Sequence, residues 1–464
     1  MSTAATPSAK PATPGPISTK AQRRRVILAS LVGTTIEFYD FYIYATAAGV
    51  VFPILFFTGN DDTAKLLASM ATFAAAFVAR PIGSVIFGHY GDRIGRKATL
   101  IGALLTMGIA TFLIGVLPTY YGIGIWAPVL LTILRFCQGL GLGGEWSGAA
   151  LLATEYAEEG KRARAAMWPQ LGAPFGFILA NGFMLLLTMA LAFNSVTDKG
   201  NLDHPFMMWG WRVPFLCSVI MVVVGLWVRF KLEETPVFKK ALDQDKKVAS
   251  PLAQVFKLNW LQLIQGTFIM LATYVLFYLM TAWILPYATG SVALGNLGIG
   301  YTNFLVLQLL AVLLFAAMIP VSGIVADKFG RRRSQLWITS AILIFGLTFK
   351  IFVDPASVGQ GPNVQIWKVL LFLAIGMTLM GLTFGSMSAI LPELFPTNVR
   401  YTGSGIAYNM ASILGAAITP FVAVALTANF GVWMVGVYLA FAAVLTLIAL
   451  WFSPETKDRD LATI

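Results

Sequence analysis

Glu37, Asp40 and Tyr44 fall at i, i+3 and i+7 of an otherwise apolar stretch and share one face of a helix. Two carboxylates one turn apart repel, and burial disfavours their charged forms. In that setting a carboxylate exchanges a proton near neutrality. Arg135, in a separate apolar stretch, would pair with an acid in one protonation state and release it in the other. The same residues would equally form a static buried ion pair that fixes helix packing. Glu145 follows Arg135 by ten residues, about 80° around a helix, and is a further coupling candidate or part of an inner gate. Arg80, just before Pro81, would either hold an anionic substrate through bidentate hydrogen bonds or neutralise Asp40. Candidate solute contacts are Arg80, Tyr44, Trp168, Gln170, Tyr274, Tyr278, Asn303, Gln308, Tyr408 and Asn409. Each alone serves helix packing as readily; as a set they suit a small hydroxylated or carboxylated solute.

The elements that must carry these groups are set by composition. Of 464 residues, 58% are hydrophobic and 11% charged, against about 45–50% and about 25% in soluble domains. So few charges cannot clothe a soluble surface, which excludes a soluble enzyme, a disulfide scaffold and a disordered chain. Twelve apolar stretches reach the roughly 20 residues that a helical span needs. They run over about 27–57, 63–90, 98–118, 126–155, 164–193 and 209–230, then about 258–288, 300–326, 334–353, 365–391, 400–428 and 431–452. None shows the alternating polarity of barrel strands. The expected fold is an all-α membrane protein of twelve transmembrane helices.

The net charge of +11 is a topology signal. With both termini cytoplasmic, 25 of the 32 Lys and Arg residues lie on the inner side and five on the outer side. That bias satisfies the positive-inside rule and leaves no nucleic-acid footprint. Residues 1–25 read as a disordered cytoplasmic tail, small, polar and proline-rich at its start. The apolar run that follows is too long for a cleaved signal peptide and carries two acids. The expected domains are a six-helix bundle over 26–231, a cytoplasmic linker over 232–257, a second bundle over 258–453 and a tail over 454–464.

The halves repeat. GHYGDRIGRK from Gly88 and GIVADKFGRRR from Gly323 share the pattern G-x-x-x-D-[RK]-x-G-R-[KR], offset by 235. Glu155 and Arg162 are matched by Glu393 and Arg400, offset by 238, and Glu234-Thr235 more loosely by Glu455-Thr456. Ordered matches of this kind indicate a duplicated six-span unit. The doubled loop, twelve spans and central basic loop resemble the major facilitator superfamily. Within it, IEFYDFYIYATAA (from Ile36), ARPIGSVIFGHYGDRIGRK (from Ala79), RFCQGLGLGGEWSGAALLATEYA (from Arg135), WGWRVPF (from Trp209) and LPELFPTNVRYTG (from Leu391) resemble the metabolite:proton symporter family. That family includes carriers similar to shikimate, ketoglutarate, citrate and proline/betaine permeases. The resemblance implies that Asp40 and Arg135 are the coupling pair, with Glu37 supporting.

The loop motifs are expected to gate the cytoplasmic side. Asp92, Arg93, Arg96, Glu155, Arg162, Asp327, Arg331, Glu393 and Arg400 would form a network that closes it and breaks in the inward-open state. The glycines Gly139, Gly141, Gly143 and Gly144 lie inside a span with no preceding strand and serve close helix packing. His89 and His204 lack metal-ligand company, and no nucleotide loop or nucleophile elbow appears.

These readings describe a multi-pass protein of the bacterial cytoplasmic membrane, surrounded by lipid and acting as a functional monomer. It is not an enzyme. It would import a small organic anion, shikimate-like or another hydroxy or keto acid, by proton symport with alternating access. No cofactor or metal is expected beyond the proton as coupling ion. The alternatives are a proline- or betaine-like zwitterion as solute, or a facilitator independent of protons. The short stretch after the last span weighs against osmosensing relatives of the zwitterion type.

Overall fold

Backbone amides in lipid have no water to bond, so apolar runs of this length close their hydrogen bonds internally as helices. The structure, a computed structural model, describes residues 20–94, 96–143, 157, 160–194, 198, 200–230, 251–396 and 399–457; within these, side chains at 20–26, 88–94, 96–100, 229–230, 251–253 and 401 are not described. Residues 1–19 of the expected tail and most of the central linker lie outside these residues, whereas 20–25, expected as part of a disordered tail, form the start of the first helix.

Twelve helical segments among the described residues follow the twelve apolar stretches. In the first half they are α1 (Lys20–Val50), α2 (Asp62–Ile94), α3 (Arg96–Val116), α4 (Trp126–Leu142), α5 (Arg162–Gln170 and Gly172–Ala190) and α6 (Val213–Phe230). In the second half they are α7 (Trp260–Tyr278 to Ile284–Thr289), α8 (Tyr301–Phe329), α9 (Arg331–Leu347), α10 (Ile366–Glu393), α11 (Arg400–Ala411 to Ile418–Phe430) and α12 (Val432–Trp451). Eight segments are long and apolar enough to cross a membrane. Of the other four, α1 carries Glu37 and Asp40, α9 opens on three arginines, and α3 and α4 are shorter where described.

Two helices hold a π turn that apolar patterning did not anticipate, Leu279–Trp283 in α7 and Ser412–Ala417 in α11. Each lies just ahead of a proline, Pro286 or Pro420. A proline ring clashes with the carbonyl four residues back and removes one helical donor, so the ladder opens at that point. In α7 the side chain of Gln308 supplies a replacement, donating from Nε2 to the Met280 carbonyl at 3.1 Å.

The duplication is visible in the packing. α2 packs on α4 as α8 does on α10; α3 contacts α4 and α6 as α9 contacts α10 and α12. In the same way α1 contacts α5 and α6 as α7 contacts α11 and α12. Across the halves, α5 lies against α8 and α10, and α11 against α2. Small residues permit the closest approach: a Cβ at Gly139 would collide with the Ala76 backbone, at Gly143 with Arg80 and Ser84, and at Gly83 with Leu140. The packing reading of the glycine string therefore holds at Gly139, Gly141 and Gly143, while Gly144 lies outside the described residues.

Candidate functional site

At the centre of the bundle, α1 and α2 from one half face α7 and α11 from the other. Glu37 and Arg80 are both buried, with Nη2 of Arg80 3.8 Å from Oε1 of Glu37. The guanidinium lies over the Phe77 ring, 4.9 Å from its centroid. Tyr274, Tyr278 and Tyr408 lie near it. The Tyr274 ring stacks on Tyr278 at 6.1 Å and meets Tyr408 at 5.5 Å. Asn409 donates to Ser84 Oγ, one turn beyond Arg80, at 3.1 Å and ties the halves together. Arg80 Nε has no hydrogen-bond partner among the described residues. A buried guanidinium of the first half with an open donor, set among phenols of the second, is suited to a carboxylated, hydroxylated guest.

Asp40 and Arg135 lie beside this centre and do not form an ion pair. Arg135 Nη1 donates to Gln138 Oε1 at 2.9 Å, Gln138 Nε2 to Thr111 Oγ1 at 2.6 Å, and Thr111 Oγ1 to Asp40 Oδ2 at 3.0 Å. The faces of the guanidinium are taken by Tyr44, Phe73 and Phe41, with ring centroids at 4.1, 5.0 and 5.3 Å. Cation–π contact of this kind stabilises a desolvated cation without a counter-charge. The expected Arg135–acid pairing is absent in this conformation: Nη1 is bonded to Gln138, and Nε and Nη2 have no hydrogen-bond partner among the described residues.

The same rings face outward from the centre. Phe41, Phe73 and Phe77 pack on Tyr278 of the other half at 5.3, 6.0 and 5.3 Å. Beyond this layer, toward the end away from the basic loops, opens a cavity of about 970 Å³ lined by Lys65, Trp283, Tyr287, Asn296 and Asn303 among others.

The basic end is closed. Glu393 on α10 accepts from Arg162 of the first half at 3.3 Å and from Arg331 Nε at 3.2 Å, and Thr456 donates to it at 2.6 Å. Asp327 accepts from the backbone amides of Ala163 and Arg164, both at 3.1 Å, at the positive N-terminal end of α5. It also pairs with Arg331 at 3.1 Å. Glu455 accepts from the amides of Arg331 and Arg332 at the start of α9.

The structure sorts the sequence candidates. Glu37, Arg80, Tyr274, Tyr278, Tyr408 and Asn409 meet at the centre. Tyr44 instead bonds Thr72 at 2.7 Å and walls the Arg135 cage. Gln308 serves the α7 backbone, and Asn303 lines the outer cavity. Gln170 is buried, with Nε2 unbonded among the described residues. Trp168 is corrected: it is 40% exposed on the bundle surface, so it faces away from the centre. Arg162, Asp327, Arg331 and Glu393 meet in one ionic cluster at the basic end, while buried Arg400 donates to the Phe395 carbonyl. Glu145, Glu155 and the side chains of Asp92, Arg93 and Arg96 lie outside the described residues. Sequence reasoning passed over Thr111, Gln138 and Arg164, and read Glu455 and Thr456 only as a repeat match, with no role in the ionic cluster; Gln138, one turn after Arg135 on the same helix, carried a positional signal.

Residues 26–464 match the family model described as Sugar (and other) transporter. The chain belongs to this family, within the major facilitator superfamily. It is similar to the inner membrane metabolite transport protein YhjE of Escherichia coli K12, 52% identical over 439 residues that cover 95% of this chain and 96% of the relative. It is also similar to the shikimate transporter of the same strain, at 35% identity over 90% of this chain and 92% of that one. The fold is that of the solved proton:xylose symporter XylE of E. coli, with a TM-score of 0.70 at 18% identity, covering 96% of this chain and 98% of XylE. The protein is thus a multi-pass inner-membrane metabolite transporter, and not an enzyme.

Proposed function

We propose that this transporter imports a small organic acid together with protons by alternating access, with 26–231 and 258–453 rocking as two bundles about the central site. The reading rests on the Arg80 guanidinium, held near Glu37 and close to Tyr274, Tyr278 and Tyr408, so that a cationic group of the first half faces phenols of the second. A shikimate-like hydroxy acid offers the matching carboxylate and hydroxyls, and the similarity to a shikimate transporter supports that solute class. Asp40 is the proton carrier and Arg135 its electrostatic counterpart, with Glu37 assisting. Lys and Arg loops place the closed end in the cytoplasm, so the conformation described is closed inward, with its cavity on the outer side.

The test is transport by protein reconstituted in vesicles that enclose a pH-sensitive dye, challenged in turn with shikimate, quinate, ketoglutarate, citrate, proline and betaine. Acidification of the lumen on addition of a carboxylate, above that of protein-free vesicles, supports the proposal. Accumulation without acidification contradicts the proton coupling, and a response to proline or betaine alone contradicts the solute class.

A further inference from the structure

Between Asp40 and Arg135 stand two uncharged side chains that the family resemblance does not assign. Thr111 is fully buried on α3, and Gln138 is 1% exposed on α4. The Thr111 oxygen lies 3.0 Å from Asp40 Oδ2 and 3.0 Å from the carbonyl of Met107 on its own helix. A hydroxyl has one hydrogen and two acceptor lone pairs, so it serves only one of these oxygens at a time. Its bond from Gln138 Nε2 at 2.6 Å uses one lone pair and leaves the second free. Asp40 Oδ1 has no hydrogen-bond partner among the described residues, so Thr111 is the one side chain seen to bond this carboxyl group.

We propose that Thr111 is a positioning residue for proton exchange at Asp40, a hydroxyl that turns between two acceptors as the acid changes state. When Asp40 is ionised, Thr111 donates to Oδ2. When Asp40 has taken a proton from the solvent, the new carboxylic O–H donates to Thr111, and the Thr111 hydrogen turns to the Met107 carbonyl. No group loses its partner in either state, and only hydrogen bonds rearrange. Gln138 remains bonded to Thr111 throughout, so Arg135 keeps its place in the aromatic cage. Burying an unsatisfied polar group is costly, and this arrangement lets the acid titrate at Oδ2 without adding a second unsatisfied atom to the unbonded Oδ1.

The titratable and charged groups about Asp40 are Glu37, Tyr39 and Tyr44 on its own helix, Arg80 on α2, Arg135 on α4, Cys217 on α6 and Tyr278 on α7. The described side chains of α3 include no charged group, and those of α5 are Arg162 and Arg164 at its basic end. Thr111→Val removes the hydroxyl at nearly constant volume, whereas Thr111→Ser keeps it. A bond to a charged acceptor is stronger than one to its neutral form, so losing the hydroxyl penalises the ionised acid more. The midpoint of Asp40 titration should then move toward alkaline pH by roughly half a unit to one unit.

This proposal deepens the proton-symport reading and rests on it for its role in transport, so the test has two arms. The first follows the infrared band of the protonated carboxyl that disappears in Asp40→Asn, titrated in the wild type, Thr111→Val, Thr111→Ala and Thr111→Ser. The second records shikimate-driven acidification of dye-loaded vesicles against pH for the same proteins. An alkaline shift in Thr111→Val and Thr111→Ala, with Thr111→Ser matching the wild type, supports the proposal. Unchanged infrared midpoints in the Val and Ala variants overturn it. If the wild type gives no acidification, the symport reading fails and the infrared arm alone decides the role of Thr111.

Discussion

Arg135 and Asp40 are joined through Gln138 and Thr111 and not by an ion pair: three hydrogen bonds of 2.9, 2.6 and 3.0 Å separate the cation from the acid. The guanidinium is held in this position by the rings of Phe41, Tyr44 and Phe73. Phe41 and Phe73 also seal against Tyr278 of the opposite half. Phe41 and Phe73 thus touch both the Arg135 guanidinium and Tyr278 of the other half, a shared contact through which the proposed proton site would be linked to the interface between the halves.

Asp40→Asn fixes the site in a neutral state, and Arg135→Ala removes the cation that the aromatic rings enclose. Both variants are expected to lose concentrative, pH-driven uptake, to background within error, while keeping their helical content. Asp40→Asn is expected to retain exchange of labelled for unlabelled solute. Counterflow beside net uptake, with thermal unfolding as a control, reads the distinction. Wild-type accumulation in either variant would remove that residue from the coupling step.

Arg80 is expected to carry affinity. Removing one partner of a buried, hydrogen-bonded charge contact costs about 2–5 kcal/mol, so Arg80→Ala should weaken binding of the proposed carboxylate solute at least about thirtyfold. Arg80→Lys keeps the charge but not the planar fork, and should recover only part of it. Trp168→Ala, on the bundle surface, should leave binding unchanged. Calorimetric titration of purified protein measures all three.

Glu393 holds Arg162 of one half and Arg331 of the other. Breaking a buried ionic cluster from one side is strongly destabilising, so Glu393→Gln should raise the ratio of inward-open to inward-closed protein by about tenfold or more. Spin labels at Trp168 on α5 and Phe329 on α8, both exposed, would report this as a new population at longer distance. An unchanged distance distribution would show that the backbone clamp at Asp327 closes this end by itself.

At Gly139 and Gly143 the α2 and α4 backbones approach too closely for a Cβ. Gly139→Ala and Gly143→Ala should each lower the unfolding temperature by several degrees and reduce uptake, because α2 carries Arg80. Gly182→Ala on α5, where a Cβ meets nothing within 4 Å, should do neither. Thermal unfolding in detergent distinguishes them.

The fold was legible because lipid enforces it. Long apolar runs, the doubled G-x-x-x-D-[RK]-x-G-R-[KR] loop and the one-sided basic residues each follow from a physical constraint that acts on sequence directly. The central charges were legible for the same reason, since Glu37, Asp40, Arg80 and Arg135 are costly in a bilayer and stand out there. The aromatic face was harder to read: in a span apolar all round, nothing in the pattern distinguishes Trp168, turned outward, from Tyr278, turned inward. Thr111 was invisible because a threonine in a membrane helix usually bonds its own backbone, as Thr106 does to Gly102. The three-dimensional approach of α1 alone gives Thr111 its second acceptor.

The account depends most on substrate-driven proton entry. Vesicles loaded with a pH-sensitive dye, carrying wild-type protein or Asp40→Asn and challenged with shikimate and the other carboxylates, measure it directly. Acidification by at least one carboxylate in the wild type and none in Asp40→Asn is the predicted result. Equal acidification in both, or solute accumulation with no proton movement in the wild type, would contradict the assignment of Asp40 as the proton carrier.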